Sequence, residues 1–484
     1  MAPLLAATYW PFFVLAVSVG LIVVLITVVR MPAFLALLLA AFTAGFLADT
    51  LPGEPAKDHW IQAVELTTAE LGTTAGRIAV VIALATVISL CLMESGAADK
   101  IVRRFLALFG EKHAGKAIFL SGYIISIPIF FDTFFMLLLP LARAMALRTG
   151  RNYLLYVMAI CSAGIVTHSL CIPHPGPLAM AEALGVDVGL SIVVGIVVGL
   201  PPATAGWLVA NWLNRRLTIP LRETPGVTLA ELEAVVRKDE RELPSFLFSI
   251  TPIILPIVLI SLASLFDAAV RQRETFAWLI AACGGPEVFT EVARWMQFAG
   301  NRNVALVIGS AVALVLLVRS RRLPWRDAFR AIGAPLETAG VIILITSAGG
   351  AFGLMLKNAG VGEAIKAAAE GRAVNLVILA WLVAAVIRVA QGSATVAMLT
   401  TAAMVQPLLG TDPPYHPIYI FLAIGFGGMI CSWMNDSGFW VVGRLSGMTE
   451  KETLKSWTLI ATVNSIAGLV VTLLGSWLLP FASR

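Results

Sequence analysis

The sequence has few charged residues for its length. Asp, Glu, Lys and Arg make up 13% of the 484 residues, whereas soluble domains have about 25%. Hydrophobic residues make up 59%, which leaves too little charge to cover several soluble domains. A soluble enzyme, a disordered chain and a nucleic-acid-binding protein are therefore excluded. The composition is typical of a helical protein that crosses the membrane many times.

Several chemical signatures are also absent. The sequence has no P-loop, HExxH or GxSxG motif, so neither ATP-driven transport nor the usual hydrolase chemistry is supported. The five cysteines have no disulfide or metal-binding spacing and are interpreted as small buried hydrophobic residues. The net charge of +5 comes from basic residues in short loops, where they set membrane orientation. We predict no enzyme activity, no cofactor and no metal.

Apolar runs long enough to cross a bilayer recur along the chain. A spanning helix needs about 20 residues, and the runs predict roughly ten to twelve spans with two re-entrant hairpins. No basic region precedes the first run, so we expect no cleaved signal peptide and an external N-terminus. Residues 214–245 are predicted as a polar cytoplasmic loop. The uninterrupted predicted spans are Trp10–Val29, Met31–Thr50, Gly76–Met93, Val188–Leu213, Phe246–Val270 and Val304–Val318.

Two apolar segments of the first half are interrupted. Ala117–Leu141 contains Pro128 and Pro140 and is flanked by basic residues on both sides. Because basic flanks are cytoplasmic, this segment is predicted to enter and leave the membrane from one side. Tyr153–Ala183 is interrupted at 167–177, where three prolines and a glycine exclude a continuous helix.

The second half repeats the order of these features. Residues 74–76 match 338–340, and 96–101 match 360–365, both at an offset of 264 residues (338 minus 74). The flanking basic residues give the two copies opposite orientations. We therefore predict an all-α polytopic membrane protein with two inverted repeats, re-entrant hairpins and discontinuous helices, as in secondary transporters. The predicted regions are N-terminal scaffold spans (1–73), a first repeat (74–217), a loop with central scaffold spans (218–337) and a second repeat (338–484).

The interruption at 167–177 carries two histidines. Histidine inside a span is rare and marks a functional site, and its charge changes near physiological pH. We predict that Thr167, His168 and His174 bind substrate and that His168 also exchanges a proton. The alternative is that both histidines only satisfy backbone groups at the break.

A second candidate lies at 435–438. Asp436 is a lone carboxylate beside a glycine in an apolar segment, so it should pair with a cation or bind a proton. We predict proton coupling by Asp436 and substrate contacts from Asn435 and Ser437. The alternative is that Asp436 caps the helix that follows, and both roles are compatible.

The small residues after Gln391 form the third candidate. A half-helix that begins there would direct its positive end and two hydroxyls at an anion. Gly392, Ser393 and Thr395 are therefore predicted to bind substrate, and a small-residue packing surface is the alternative. Arg388 could clamp a carboxylate, neutralise an internal acid or extend to the membrane surface.

The tip of the first predicted hairpin holds Asp132 and Thr133. Asp132 is predicted to take part in proton coupling and Thr133 to bind substrate. The alternative for Asp132 is a carboxylate exposed to water or paired with an arginine.

At these motifs the sequence resembles the gluconate permease family of bacterial organic-acid symporters, within the ion transporter superfamily. The resemblance is densest at 167–177, 392–397, 435–440 and 455–457. It implies proton-coupled uptake of gluconate or related sugar acids across the bacterial inner membrane by a homodimer. Some relatives carry other small hydroxy acids or D-serine.

The chain departs from the family pattern at the predicted site. The pattern has Glu at the position of Asp132, Val-Gly at Thr133 and Phe134, and Pro at Ser437. A shorter acid and the bulkier Phe134 suggest a different or smaller ligand.

We predict from these observations a proton-coupled symporter of gluconate or a related small hydroxycarboxylate. The predicted partners are this acid, protons, the lipid bilayer and a second copy of the chain, without nucleic acid. The main alternative is a sodium-coupled carboxylate or D-serine-type amino-acid symporter of the same fold. An intramembrane enzyme and a passive channel are weaker alternatives.

Overall fold

The computed structural model describes residues 2–480 with gaps, and every regular element in the described residues is a helix. The all-α prediction is confirmed. Asn435 and most of the predicted loop 214–245 fall in gaps and lie outside the described residues. The gaps are 53–56, 111–112, 223–242, 272, 275, 362–363, 365–374, 410–414 and 435.

The helices are numbered here in chain order. Those before the polar loop are α1 (Ala2–Thr27), α2 (Ala33–Leu47), α3 (His59–Glu94), α4 (Ala97–Phe109), α5 (Ala114–Ile125), α6 (Phe131–Thr149), α7 (Tyr153–Leu170), α8 (Pro175–Leu184) and α9 (Val188–Arg216). Those after it are α10 (Phe246–Arg271), α11 (Ala277–Ala282), α12 (Pro286–Ala299), α13 (Arg302–Arg321), α14 (Trp325–Ala331), α15 (Gly333–Asn358), α16 (Leu376–Gln391), α17 (Ala394–Val405), α18 (Ile418–Gly427), α19 (Ser437–Ser446), α20 (Glu450–Thr453) and α21 (Leu459–Leu478). A π-helical turn, Leu454–Thr458, joins α20 to α21.

Seven helices or joined helices among the described residues are long and apolar enough to cross a membrane. Shorter apolar helices of 10–17 residues accompany them. The chain is therefore a multi-pass membrane protein. The expectation of roughly ten to twelve spans stays a prediction, because it requires some of the shorter helices to cross as well. The seven are α3, α7 with α8, α9, α10, α13, α14 with α15, and α20 through α21.

Helix α3 is longer than the apolar run Gly76–Met93 that predicted it. It begins at His59, where the Asp58 side chain accepts a hydrogen bond from the backbone N–H of Trp60 at 2.9 Å. The sequence prediction missed its first turns because they are polar. With 36 residues, α3 is about 54 Å long and extends past a hydrocarbon core of about 30 Å.

Only one of the two prolines predicted to break Ala117–Leu141 lies in a break. Helix α5 ends at Ile125 and α6 begins at Phe131, so Pro128 lies between them. Pro140 lies inside α6. An internal proline removes one backbone hydrogen bond at a cost of about 3 kcal/mol, and the packing of α6 offsets that cost.

Helix α7 lies at the centre of the main core. Every residue of α7 except His168 is buried, which is the pattern of a helix surrounded on all sides by protein. A second core forms between α1, α2 and α15 around Leu37 and Phe352. Helices α11 and α12 pack on α10, where the ring centroids of Phe266 and Phe289 lie 5.6 Å apart in a stacked arrangement.

Candidate substrate and ion-coupling site

Four of the interruptions between consecutive helices carry or adjoin the predicted site residues. They lie between α5 and α6 (126–130), α7 and α8 (171–174), α16 and α17 (392–393), and α18 and α19 (428–436). Each interruption frees backbone N–H and C=O groups from helical pairing. At membrane depth such groups are tolerated only inside protein or beside a wet cavity. The contacts between the four interruptions therefore decide where a polar ligand can bind.

The first two interruptions are joined by buried hydrogen bonds. The Nε2 of His174 lies 3.0 Å from the carbonyl oxygen of Ser126, and because a carbonyl only accepts, Nε2 is the donor. The hydroxyls of Ser126 and Thr167 lie 2.7 Å apart. All three residues are buried. His174 and Thr167 thus have structural partners, and their roles in substrate binding stay predictions. Ser126 was missed by sequence reasoning because nothing distinguishes it from other serines in apolar runs.

His168 lies next to His174, with ring centroids 4.9 Å apart in an edge-on arrangement. It is half-buried, at the last turn of α7. Its Nδ1 is buried and has no hydrogen-bond partner among the described residues. His168 also interacts electrostatically with Asp436 and Arg388. His168 thus has a buried nitrogen without a partner among the described residues and interacts electrostatically with the charged pair.

The first turn of α8, just after the second interruption, packs against Met398 of α17, which follows the third interruption. A Cβ built on Gly176, at the start of α8, would lie 2.3 Å from Met398 Cε and 3.8 Å from Thr395 Cα. The fourth interruption reaches the same place, because a Cβ built on Gly428 would lie 2.8 Å from Met398 Cγ and 3.5 Å from the carbonyl oxygen of Ala394. A Cβ at either position would require the Met398 side chain to move.

The predicted half-helix begins directly after the third interruption. Gly392 is buried and has a φ of 84°, a conformation that favours glycine. The Ser393 hydroxyl caps α17 by accepting from the backbone N–H of Val396 at 3.3 Å. A hydroxyl that accepts one hydrogen bond keeps its own hydrogen for donation. The positive end of α17, Ser393 and the half-buried Thr395 are thus placed together.

Asp436 forms an ion pair with Arg388 beside the fourth interruption. Arg388 Nη2 donates to Asp436 Oδ2, and only 3% of the Arg388 side chain and 12% of the Asp436 side chain are exposed. Ser432 Oγ donates to the same oxygen. The backbone N–H of Gly438 donates to Oδ1 at 3.1 Å, so Asp436 also caps α19. Pairing with a cation and capping of α19 are therefore both present, the proton-coupling role of Asp436 stays a prediction, and Ser437 is exposed.

Trp457 extends this hydrogen-bonded group. Its Nε1 donates to Ser432 Oγ at 2.6 Å, and its ring lies 5.1 Å from that of Phe131. It is buried inside the π-helical turn Leu454–Thr458, a distortion often found at functional sites. Sequence reasoning assigned no tryptophan to the site and missed Ser432. The family resemblance at 455–457 was the signal for Trp457.

The first hairpin tip contributes a carboxylate and a packed aromatic ring. Asp132 is exposed and interacts electrostatically with Asp436. Thr133 is half-buried. Phe134 is fully buried, and a Cβ built on Gly164 would lie 2.7 Å from its ring. The Phe134 ring therefore packs against α7 at Gly164 in the core, and its effect on ligand size stays a prediction.

A polar cavity of about 310 Å³ lies between α3, α8, α15 and α17. Its lining includes Arg77, Lys357, Glu70 and Glu182. Leu399, the neighbour of Met398, also lines it, so the cavity borders the place where the interruptions meet. Small-molecule sites have volumes of about 300–1,000 Å³, and this cavity can admit a small acid.

The sequence is similar to several transporters over nearly its full length. Residues 10–478 match the family model described as GntP family permease. The gluconate permease of Pseudomonas aeruginosa is 34% identical over 96% of this chain and 97% of that protein. The gluconate permease of Bacillus subtilis is 31% identical over 96% and 99%. The Gnt-II system L-idonate transporter of Escherichia coli is 30% identical over 95% and 98%.

Two solved structures have a similar fold. MtrF of Neisseria gonorrhoeae, described as illuminating a class of antimetabolite efflux pumps, superposes with a TM-score of 0.60 at 16% identity, covering 94% of both chains. The YdaH transporter of Alcanivorax borkumensis, described as having an unusual topology, gives 0.62 at 16% identity over 93% of this chain and 98% of that one. At this identity the likeness concerns the fold alone.

Proposed function

The chain belongs to the GntP family of permeases, and on this premise we propose that it carries gluconate or a related sugar acid into the cell together with protons. The observation that carries the proposal is the convergence of four helix interruptions at one place. There they bring together a free histidine nitrogen, a buried Arg–Asp pair and the positive end of a half-helix. These groups suit a hydroxylated anion that travels with a proton.

We propose that two inverted repeats, 74–217 and 338–484, build this site between the scaffold regions 1–73 and 218–337. Helices α5 and α17 have 12 residues each, about 18 Å, and are too short for a core of about 30 Å. This length supports re-entrant hairpins at α5–α6 and α16–α17. The repeat equivalents α3 and α15 are in direct contact, since a Cβ built on Gly350 would lie 2.4 Å from Thr74 Oγ1.

In the proposed complex, the substrate carboxylate accepts hydrogen bonds at the N-terminus of α17. The donors are the backbone N–H groups there and the hydroxyls of Ser393 and Thr395. The substrate hydroxyls face His168 at the end of α7. The remaining substrate contacts are those predicted from the sequence, at Thr133, Thr167, His174, Gly392, Asn435 and Ser437.

The coupling proton is proposed to bind at Asp132, Asp436 or His168. Asp132 and His168 each interact electrostatically with Asp436. A proton at any of them reduces the charge that must move with the loaded site, and ligand and proton then raise each other's affinity.

The polar cavity is the proposed entry route. Arg77 and Lys357 are exposed along its wall and attract an anion over a distance of about 10 Å at moderate salt. We propose that this cavity opens on the outer side of the bacterial inner membrane, and the orientation predicted from the basic loops supports this.

The test is uptake of labelled gluconate into proteoliposomes with an imposed pH gradient and no sodium. The expected result is accumulation that collapses when a protonophore is added. Uptake that requires sodium and ignores the pH gradient would favour the sodium-coupled alternative instead. The proposed homodimer is checked separately by the mass of the purified protein in detergent.

A further inference from the structure

Arg388 has more hydrogen-bond donors than its surroundings use. A guanidinium carries five N–H donors, and Nη2 is the atom that donates to Asp436. Nε and Nη1 are buried and have no hydrogen-bond partner among the described residues. Such atoms are rare in folded proteins, because a buried donor without an acceptor costs free energy. The unused edge of Arg388 therefore needs an acceptor that the described residues do not supply.

Asp436 is in the opposite situation, because both of its oxygens have donors. Oδ2 accepts from Arg388 and Ser432, and Oδ1 accepts from the backbone N–H of Gly438 at 3.1 Å. Trp457 holds Ser432 in place through a bond of 2.6 Å. Thus both oxygens of Asp436 have hydrogen-bond donors, whereas Arg388 still has donor atoms without an acceptor among the described residues.

Other charged and titratable groups surround the pair from different helices. Asp132 of α6 and His168 of α7 both interact electrostatically with Asp436. His174 lies behind His168 and uses Nε2 for the carbonyl of Ser126. Among the described residues facing Asp436, Arg388 is the cation in direct contact with it.

We propose that Arg388 receives the substrate carboxylate together with the N-terminus of α17, and that a proton on Asp436 releases Arg388 for this contact. The inference rests on the proposed function and adds to it the two residues that exchange partners. The Arg388 guanidinium leaves the neutral carboxyl group of protonated Asp436 and binds the charged carboxylate of the substrate. No covalent bond other than the O–H bond of protonated Asp436 forms or breaks.

The charge balance of the buried pair supports this exchange. Arg388 and Asp436 cancel each other when no substrate is bound. A substrate carboxylate alone would leave one uncompensated negative charge in a buried place, which is costly. A carboxylate with a proton on Asp436 restores neutrality. Each monovalent acid therefore moves with one proton and without net charge.

The test measures proton uptake when gluconate binds to the purified full chain in weakly buffered detergent solution with a pH indicator. We expect the wild type to take up about one proton per bound gluconate, since the two ligands are linked. Asp436→Asn mimics the protonated acid and should bind gluconate without proton uptake and with an affinity independent of pH. Arg388→Gln should bind gluconate roughly 10- to 100-fold more weakly, because it loses charged hydrogen bonds.

Two further variants control for folding and for general charge effects. Removal of one partner of a buried pair can destabilise a protein, so the double variant Arg388→Gln/Asp436→Asn removes both charges together. It should fold, and it should lack the gluconate affinity that Asp436→Asn retains. Arg444→Lys is the matched control, because Arg444 is exposed on α19 and lies over the Trp440 ring. It should behave as the wild type.

Two results would overturn the exchange and leave proton-coupled transport standing. One is an unchanged gluconate affinity in Arg388→Gln and in the double variant. The other is proton uptake that persists in Asp436→Asn, which would assign the proton to Asp132 or His168. A wild-type protein that binds no sugar acid, or binds one with sodium and without protons, would overturn the proposed function as well.

Discussion

The hydrogen bond between His174 and Ser126 should be a measurable part of the protein's stability. His174→Leu removes the Nε2 donor while it keeps a side chain of similar size. The carbonyl of Ser126 then loses its shorter hydrogen bond and keeps the longer one from the backbone N–H of Ile129 at 3.4 Å, in a place where His174 is 2% and Ser126 is 1% exposed. Because the acceptor stays partly satisfied, the loss costs about 1–2 kcal/mol.

The assay is thermal unfolding in detergent, followed with a thiol-reactive dye. Cys91, Cys161 and Cys171 are free and buried, so they react only when the core opens. With an unfolding entropy of about 2.1 cal/mol/K per residue, a loss of 1 kcal/mol lowers Tm by roughly 1 °C in a chain of 484 residues. We therefore expect His174→Leu to melt about 1–2 °C below the wild type.

Two variants sharpen this measurement. His174→Gln places an N–H near the position of Nε2 and should recover part of the loss. His113→Leu is the matched control, because His113 is exposed and its ring contact is with the carbonyl of Phe109 at 3.3 Å. It should shift stability by less than about 0.5 kcal/mol. A His174→Leu protein that melts with the wild type would refute the structural role assigned to His174.

Three further changes have definite expected outcomes. His168→Ala should abolish accumulation of gluconate in proteoliposomes while expression and membrane insertion stay normal, and normal uptake would remove His168 from the site. Gly468→Ala should lower the thermal unfolding temperature by the equivalent of about 1–3 kcal/mol, because its Cβ would lie 2.1 Å from the Phe426 ring. Gly340→Ala is the control and should leave the unfolding temperature unchanged, because its Cβ would meet nothing within 4 Å. Arg77→Gln should slow the initial rate of uptake at low ionic strength, and the difference should shrink as salt is added, since screening weakens attraction across the cavity; a salt-independent difference would contradict the entry route.

The helix interruptions were predictable from the sequence because they are local. The proline-rich run at 167–177 and the small residues after Gln391 exclude continuous helix by their own backbone preferences. The structure narrows the first of these to 171–174, with Thr167 and His168 still on α7. The same local rule gave a wrong prediction for Pro140, which lies inside α6. The packing energy that offsets the cost of an internal proline cannot be read from the proline itself.

The partners at the site were not predictable in the same way. Arg388 had three compatible roles, and Asp436, 48 positions later, had two. The neighbouring sequence did not predict the hydrogen bonds of Ser126, Ser432 and Trp457. Hydrogen bonds between such distant positions depend on how the helices pack, which no periodicity or motif records.

The sequence by itself determined that the chain is a multi-pass helical membrane protein and where its helices break. Low charge and long apolar runs decide the first, and the backbone limits of proline and glycine decide the second. Only the tertiary structure decided that His174 bonds to Ser126, that Asp436 pairs with Arg388, and that two buried donor atoms of Arg388 have no partner in the part of the chain that the structure describes. Those facts depend on distances between helices, and such distances exist only once the helices have packed.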